Sequence, residues 1–222
     1  MSQRTTAPAV EPAEPTEPTE PTEPTEPTGT VAPPPPVPGA ERYPALDFAN
    51  SLLTLPGGVL DLLGEPGAAS RWLVEHGLAP EAGRVLGPCA VRLRVFRGAV
   101  RELLDARVAG RPAPPGALAA VNEALSAAPS VPLLCWDAER GLHRSLPHPA
   151  DRIADRAMAR LAADAADLLT GPDAERLARC GGAPCSRFYV RTHASRHWCS
   201  TRCGDRVRAA RAYARKRAGK GS

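Results

Sequence analysis

Four cysteines near the C-terminus constrain the fold of this chain more than any other feature. Cys180 and Cys185 form one pair with four residues between them, and Cys199 and Cys203 form a second pair with three residues between them. Zn²⁺ takes four ligands in a tetrahedron, at about 2.3 Å from each thiolate sulfur, and two close cysteine pairs supply such a set. The spacing therefore predicts one Zn²⁺ held by these four cysteines, against the alternative of clustered free thiols.

The predicted ligand set also indicates what the metal does. A site completed by four sulfurs has no open position for water or substrate, so we expect a structural rather than a catalytic Zn²⁺. His197 lies between the two pairs and is the alternative ligand in place of one cysteine.

The residues around the cysteines predict a treble-clef-like zinc finger. Gly181, Gly182 and Pro184 favour a tight turn between the first two ligands, and an Ala- and Arg-rich helix follows the second pair. We interpret residues 188–192 and 197–198 as the two strands of a hairpin packed over the metal. So small a module buries little apolar area, and zinc is expected to supply much of its stability.

The two remaining cysteines and the absence of a leader indicate the compartment. Cys89 and Cys135 have apolar neighbours and are expected to be small buried thiols. The first thirty residues contain no apolar leader, and no run of about 18 apolar residues occurs. We therefore expect a cytoplasmic protein without a membrane span, in a reducing compartment that favours metal binding over disulfides.

Residues 1–41 are predicted to lack a core. Glu-Pro-Thr triplets repeat up to Thr28, and four prolines follow at 33–36. Prolines at every third position remove backbone donors and fix φ, which favours a disordered, partly polyproline II extension. We interpret this segment as a solubilising or spacer tail.

Residues 42–172 are predicted to form a helical domain with a small β-hairpin, and residues 173–222 the finger, so the fold class is mainly α (α+β). Apolar residues spaced by threes and fours, together with glycine and proline signals, indicate the helices. The predicted helices cover 44–53, 68–76, 80–86, 89–108, 114–128 and 150–169, with one or two further turns at 173–178. Short runs at 131–136 and 142–146 predict the two strands of the hairpin.

Charge is distributed in three blocks. Residues 1–41 carry seven glutamates and one arginine, residues 180–222 carry nine arginines, two lysines and one aspartate, and the remainder is neutral. Four thiolates and one Zn²⁺ together subtract two charges, so the finger stays near +8. Such a balance favours a polyanionic partner.

The last helix is predicted to pack with one face and to contact phosphates with the other. Arg208, Arg211 and Arg215 recur at i, i+3 and i+7 on the outward face. The neighbouring, packing face would hold Val207, Ala210 and Ala214. The candidate nucleic-acid-binding residues are Arg191, Arg196, Arg202, Arg206, Arg208, Arg211, Arg215 and Lys216.

Two motifs resemble known families. The stretches Cys180-Gly-Gly-Ala-Pro-Cys-Ser-Arg-Phe, Arg196-His-Trp-Cys-Ser and Cys203-Gly-Asp-Arg resemble the bacterial CGNR zinc finger. Leu46-Asp-Phe-Ala-Asn-Ser-Leu resembles the opening motif of the ABATE domain, which usually precedes that finger. Together the resemblances cover about residues 42–217 and imply a transcription regulator that binds DNA.

The sequence departs from the family pattern at two positions. Asp205 stands where the finger usually has Asn, and Val190 stands where it usually has Asp. An Asn that touched DNA would be replaced here by a repelling carboxylate, whereas an Asn that braces the finger could be replaced by Asp as a backbone acceptor. We favour bracing.

Other function classes are weighed against DNA binding. A zinc-stabilised RNA- or protein-binding adaptor without sequence-specific readout is the alternative. An enzyme is disfavoured because the histidines stand apart, without the spacing of a catalytic triad or a zinc protease. These histidines are His76, His143, His148 and His193.

The helical domain leaves its own role open. It is expected to sense a small-molecule or protein signal or to form a homodimer, although no heptad run indicates a coiled coil. Asp47 and Asn50, three residues apart, either face a pocket or cap and brace neighbouring turns.

Overall fold

The computed structural model describes residues 34–64, 66–128, 133–145 and 152–219. The Glu-Pro-Thr repeats of the predicted tail lie outside these ranges. The last part of the predicted tail does not: the side chain of Val37 is buried, and the Pro38 carbonyl accepts a hydrogen bond from the Val190 N–H at 2.9 Å. Contact with the core therefore begins several residues before the predicted boundary at 41.

The described residues form six α-helices and three two-stranded antiparallel sheets. The helices are α1 (Pro44–Ala49), α2 (Pro66–Glu75), α3 (Gly87–Val108), α4 (Pro115–Ala127), α5 (Ile153–Thr170) and α6 (Thr201–Ala218). The strand pairs are β1 (Leu52–Leu55) with β2 (Gly58–Asp61), β3 (Leu133–Asp137) with β4 (Gly141–Ser145), and β5 (Leu177–Arg179) with β6 (Phe188–Val190). No helix among them is both long and apolar enough to cross a membrane.

The short helix α1 lies at the centre of the core, in contact with α3 and α5. Its Phe48 ring is buried, 5.5 Å from the Trp72 ring of α2 and 5.9 Å from the Phe96 ring of α3, measured between centroids. Burial of a side chain of this size contributes about 1.5–3 kcal/mol. Phe48, which belongs to the motif that opens the helical domain, therefore packs against both α2 and α3.

Four of the predicted helices are confirmed as α2 to α5, with ends that differ by a few residues. Two predictions were wrong. Residues 80–86 are not helical, and the first helix ends at Ala49, where the chain turns into the β1–β2 hairpin. Leu53 is buried as predicted, but from a strand. Leu53 follows Ala49 by four residues and Leu46 by seven, a spacing that also matches one face of a helix, so the periodicity did not reveal the change to a strand.

The predicted hairpin is confirmed as β3–β4, but it does not bury its apolar residues. Leu134, Trp136 and Leu142 are each about 70% exposed, and Cys135 is only half-buried. Cys89 is also half-buried, so neither remaining cysteine is the fully buried thiol that its neighbours predicted. Apolar neighbours in sequence therefore do not ensure burial, and in the described part of the chain β3 has only β4 as a strand partner.

Candidate metal centre

The first cysteine pair stands on a tight turn between β5 and β6. The Cys180 N–H donates to the Arg187 carbonyl at 2.9 Å, and the Cys185 N–H donates to the Gly182 carbonyl at 2.9 Å. These bonds close the loop and point both sulfurs to one side, as the Gly- and Pro-containing spacer predicted.

The second pair lies where α6 begins. Ser200 is the N-cap of α6, and its hydroxyl accepts a hydrogen bond from the Cys203 N–H at 3.3 Å. Cys199 precedes this cap, and its N–H donates to the Cys180 sulfur at 3.5 Å. The helix start therefore carries one ligand in its first turn and one just before it.

The four sulfurs fit one tetrahedral zinc ion. They all lie within 4.8 Å of one another, and all four cysteines are buried. The Cys185 and Cys199 sulfurs are 3.8 Å apart, and the Cys199 and Cys203 sulfurs are 3.7 Å apart. A tetrahedron with Zn–S bonds of about 2.3 Å has edges of about 3.8 Å. The site is therefore that of one structural Zn²⁺, and His197, which is exposed, is not among the clustered residues.

The sulfurs influence the acidity of one another. Hydrogen bonds from the Cys185 and Cys199 thiols hold the pKa of Cys180 well below its usual range. Sharing a hydrogen bond with Cys180 raises the pKa of Cys185 to about 11, and the same neighbour raises the pKa of Cys199. Four thiolates this close repel one another, so a divalent cation is needed to hold all of them deprotonated.

Two of the residues predicted to bind nucleic acid, Arg196 and Arg206, donate hydrogen bonds to the finger's own backbone. Arg206 donates to the Gly182 carbonyl at 2.7 Å and lies 3.6 Å from the Cys203 sulfur, so it ties α6 to the first cysteine turn. Arg196 donates to the carbonyls of Trp198 and Cys199 at 3.0 and 3.1 Å. Both guanidinium groups are engaged within the finger.

The strand pairing of the finger differs from the prediction. β6 pairs with β5, so that Leu177 lies opposite Val190 and Arg179 opposite Phe188. Residues 197–198 do not form a strand, although the His197 carbonyl accepts a hydrogen bond from the Gly181 N–H at 3.1 Å. The sequence before Cys180 was predicted as helical turns, and it forms a single 3₁₀ turn at Ala174–Arg176 before β5. The sequence analysis therefore did not predict β5, the strand that pairs with β6.

The finger is joined to the helical domain through Asn50. Its side-chain amide donates to the Phe188 carbonyl at 2.8 Å, and its side-chain oxygen accepts from the Phe188 N–H at 2.9 Å. Nearby, Arg101 donates to the Ser186 carbonyl at 3.2 Å, and the Thr54 N–H donates to the Ser186 hydroxyl at 3.0 Å. The motif after α1 thus binds the strand that follows the first cysteine pair.

Asp47 and Asn50 do not share one role. Asp47 forms an ion pair with His76, with 2.8 Å between Oδ2 and Nε2, and the His76 ring stacks on Trp72. These contacts support a bracing role for both residues. Each side chain holds a residue that is distant in the sequence rather than a neighbouring turn, since Asp47 pairs with His76 and Asn50 with Phe188. Sequence reasoning missed the partners of Asn50, because nothing in the spacing of the motif indicates a bond to residue 188.

The last helix is more exposed than predicted. Val207 is half-buried, but Ala210 and Ala214 are exposed, so past the second turn α6 has no face packed against the part of the chain that the structure describes. Gly204 lies under the Trp198 ring, where a Cβ atom would come within 3.0 Å of it. All residues of α6 after Arg208 are therefore exposed.

The remaining candidate contacts divide into three groups. Arg208 pairs with Asp205, which is 70% exposed, and lies over the Trp198 ring at 5.7 Å. Arg191 is half-buried. Among the residues that the structure describes, the other four candidates are exposed and have no carboxylate within 4.0 Å: Arg202, Arg211, Arg215 and Lys216.

Two family comparisons agree with this architecture. Residues 43–172 match the ABATE family, whose description is "Putative stress-induced transcription regulator". Residues 176–216 match the CGNR zinc finger. Both resemblances deduced from the motifs are confirmed, and both families are of regulator or zinc-finger type rather than enzymes. No curated protein matches the chain.

The ABATE match covers more than half of the chain and ends before the four clustered cysteines, which lie within the CGNR match. The chain therefore belongs to the ABATE family, and its C-terminal module is a CGNR zinc finger.

Proposed function

We propose that this chain is a DNA-binding transcription regulator in which α6 contacts the DNA. One observation carries the proposal. From Arg208 to Ala218 the helix is exposed on all sides, and its basic side chains include Arg211, Arg215 and Lys216, which have no acidic partner among the described residues. A group of unpaired cations on a projecting helix is suited to phosphates.

The dimensions of α6 support insertion into a groove. Its 18 residues span about 27 Å. A major groove about 12 Å wide admits an α-helix. Because the first turn is fixed by Cys203 on the metal and by Arg206 on the cysteine turn, the helix is presented in one direction. Zinc would then act on DNA binding only through this rigid presentation.

The basic residues would take different roles. Arg202, Arg211, Arg215 and Lys216 are proposed as the phosphate contacts because their charges are free. Arg196 and Arg206 are proposed as positioning residues that hold the finger, and Arg208 as a residue whose charge is partly neutralised by Asp205. The Asp at position 205 would therefore weaken one contact without placing an isolated negative charge against the DNA.

The test is selection of bound sequences from random DNA by the zinc-loaded full chain. We expect enrichment of a sequence by the wild type and none by the Cys199→Ala, Cys203→Ala variant. A second variant, Arg211→Ala with Arg215→Ala, should lose about tenfold or more in affinity and about two units of salt slope.

A charge-matched control distinguishes direct contact between α6 and DNA from attraction of DNA by the net charge of the protein. Arg71 and Arg84 are exposed arginines of the helical domain, and their double substitution by Ala removes the same charge as the helix variant. The control should bind DNA almost as the wild type does. Equal losses in both double variants, or no enrichment by the wild type, would overturn the proposal.

A protein-binding adaptor is the second candidate, and the β3–β4 hairpin supports it. Leu134, Trp136 and Leu142 form an exposed apolar surface of a kind that often marks a protein contact. This function predicts no enrichment from either a DNA or an RNA library. The same selection, run with both libraries, therefore distinguishes the adaptor from DNA and RNA binding.

A further inference from the structure

A cavity of about 420 Å³ lies where the helical domain meets the finger. Phe188 of β6 is part of its lining. The charged residues of the lining are Arg101, Glu102 and Asp105 of α3, Arg111 before α4 and Arg179 of β5. Pockets of about 300–1,000 Å³ take small molecules, and a few polar or charged groups in them decide which ones. The cavity therefore has the size that a small organic ligand needs.

The lining is positive because its two carboxylates do not balance its three arginines. Asp105 is shared, since it accepts from Arg111 at 2.8 Å and from Arg179 at 2.8 Å. Glu102 is exposed and has no basic partner within 4.0 Å among the residues that the structure describes. Three arginines less two carboxylates leave one positive charge in the lining.

Arg101 is the arginine of the lining that no carboxylate neutralises. It is half-buried, and no Asp or Glu oxygen of the described residues lies within 4.0 Å of its nitrogens. It donates to three backbone carbonyls at 2.5, 3.0 and 3.2 Å, those of Ala49, Leu52 and Ser186. A guanidinium has more donors than this, so its Nε–H and one Nη2–H have no partner in the described part of the chain.

The surroundings of Arg101 disfavour its positive charge. Burial, together with the nearby guanidinium groups of Arg179 and Arg97, lowers the pKa of Arg101 from its usual value. A bound anion would offset both effects, because an opposite charge close to a buried cation favours its charged form. The unused donors and the uncompensated charge of Arg101 thus call for the same kind of partner.

We propose that this cavity binds a small organic carboxylate, with Arg101 as its main partner and Arg111 and Arg179 as further contacts. Guanidinium and carboxylate groups match in shape and form strong, often paired hydrogen bonds. The ligand would contact the finger on both sides of the first cysteine pair, because Arg179 precedes Cys180 and Phe188 follows Cys185. The inference gives the helical domain a ligand site and does not depend on contact between α6 and DNA.

The charge of the lining selects a singly charged ligand. A monocarboxylate brings the single positive charge of the lining to zero, whereas a phosphate dianion would leave one negative charge in excess. Glu102 has no basic partner in the described part of the chain, so its carboxylate repels further negative charge. Duplex DNA, with one charge per about 1.7 Å, is disfavoured for the same reason. A carboxylate with a short apolar body is therefore the class of ligand that fits.

The direct test uses benzoate as the probe and the zinc-loaded full chain as the target. Benzoate is titrated into the ¹⁵N-labelled protein, and the Nε–Hε signal of Arg101 and the amide signals of Arg179 and Phe188 are followed. We expect saturable shifts with a dissociation constant on the order of 1 mM, which suits a ligand of about nine heavy atoms. Benzamide has the same shape without the charge and should cause no such shifts, and inorganic phosphate should bind more weakly than benzoate.

Two exposed lining residues should change the affinity for benzoate in opposite directions. Arg111→Gln removes an attractive charge and should weaken binding about threefold, whereas Glu102→Gln removes a repulsive charge and should strengthen it about threefold. Loss of folding cannot account for tighter binding. Arg101 itself is left in place, because it also holds three backbone carbonyls.

Arg92→Gln is the matched control for Arg111→Gln. Arg92 is also exposed and also pairs with an aspartate, at 2.6 Å from Asp155, but it lies nine residues before Arg101 on α3 and outside the cavity lining. This variant should bind benzoate as the wild type does. The proposal would be overturned by signals that stay in place at benzoate concentrations well above the expected constant, by equal shifts with benzamide, by phosphate that binds as tightly as benzoate, or by equal effects of Arg111→Gln and Arg92→Gln.

Discussion

The side chain of Asn50 acts as a strand partner for Phe188. It donates to the Phe188 carbonyl and accepts from the Phe188 N–H, at 2.8 and 2.9 Å, and Asn50 is buried. A primary amide is the side chain that can donate and accept toward one backbone unit in this way. The bond joins the opening motif of the helical domain to the strand that follows the first cysteine pair.

Asn50→Ala should therefore destabilise the protein substantially. It leaves the N–H and carbonyl of Phe188 buried without partners, which costs about 2–4 kcal/mol for the two groups together. Denaturant unfolding of the zinc-loaded protein measures the change. Asn122→Ala, on the exposed side of α4, is the matched control and should change the free energy of unfolding by less than about 0.5 kcal/mol. Equal effects of the two substitutions would contradict the assigned role of Asn50.

Zinc content should depend on only four of the six cysteines. Cys199→Ala removes a sulfur that lies 3.7 Å and 3.8 Å from two others, so the variant should lose its stoichiometric zinc. The double variant Cys89→Ala, Cys135→Ala should keep one zinc per chain, because neither residue is in the cluster. Metal analysis after exhaustive dialysis measures both. Loss of zinc from the double variant would show that the ligand set is wrong.

The sequence predicted the parts of this protein whose signals are local. The spacing of the cysteines reflects the geometry of one ion, and the periodicity of α3 and α5 reflects one buried face each, so both were predictable. The pairing of β5 with β6 was not, because Leu177–Arg179 is only three residues long and its partner lies across the first cysteine turn. The bond between Asn50 and Phe188 spans 138 residues, and no spacing rule covers such a distance.

The exposed end of α6 shows the opposite failure, in which a local pattern predicted a packing contact that none of the described residues makes. Alanines at 210 and 214 have the spacing of a packing face, yet both are exposed. Alanine buries little area and is also the best helix former, so it serves an isolated helix as well as a packed one. Helix propensity rather than packing explains these residues.

Arg206 and Arg202 should respond differently to substitution by alanine, although they lie on the same helix. Arg206→Ala removes bonds to two carbonyls of the first cysteine turn and a contact with the Cys203 sulfur, so we expect a loss of about 1.5–3 kcal/mol in unfolding free energy and faster zinc release to a chelator. Arg202 is exposed, and Arg202→Ala should leave both quantities nearly unchanged while weakening DNA binding. Similar zinc release from the two variants would contradict the distinction between positioning and contact residues.

Asp164 should make the protein less stable as the pH rises from about 4 to about 6. Burial raises the pKa of this carboxyl from its usual value near 3.8 to about 6, although the Ala45 N–H donates to it at 2.7 Å. The folded protein therefore holds a proton that the unfolded chain has lost in this range, and the stabilisation present below pH 4 disappears as the pH passes 6.

Asp164→Asn keeps an acceptor for the Ala45 N–H without the negative charge of the carboxylate. It should be more stable than the wild type by about 1–2 kcal/mol at pH 7, after allowance for partial exposure, and nearly equal to it at pH 4. Thermal or denaturant unfolding at several pH values measures this difference, and Glu123→Gln, on the exposed side of α4, is the control for the loss of one surface carboxylate. A gap between wild type and Asp164→Asn that does not change with pH would mean that the substitution acts through packing rather than through the charge of the carboxylate.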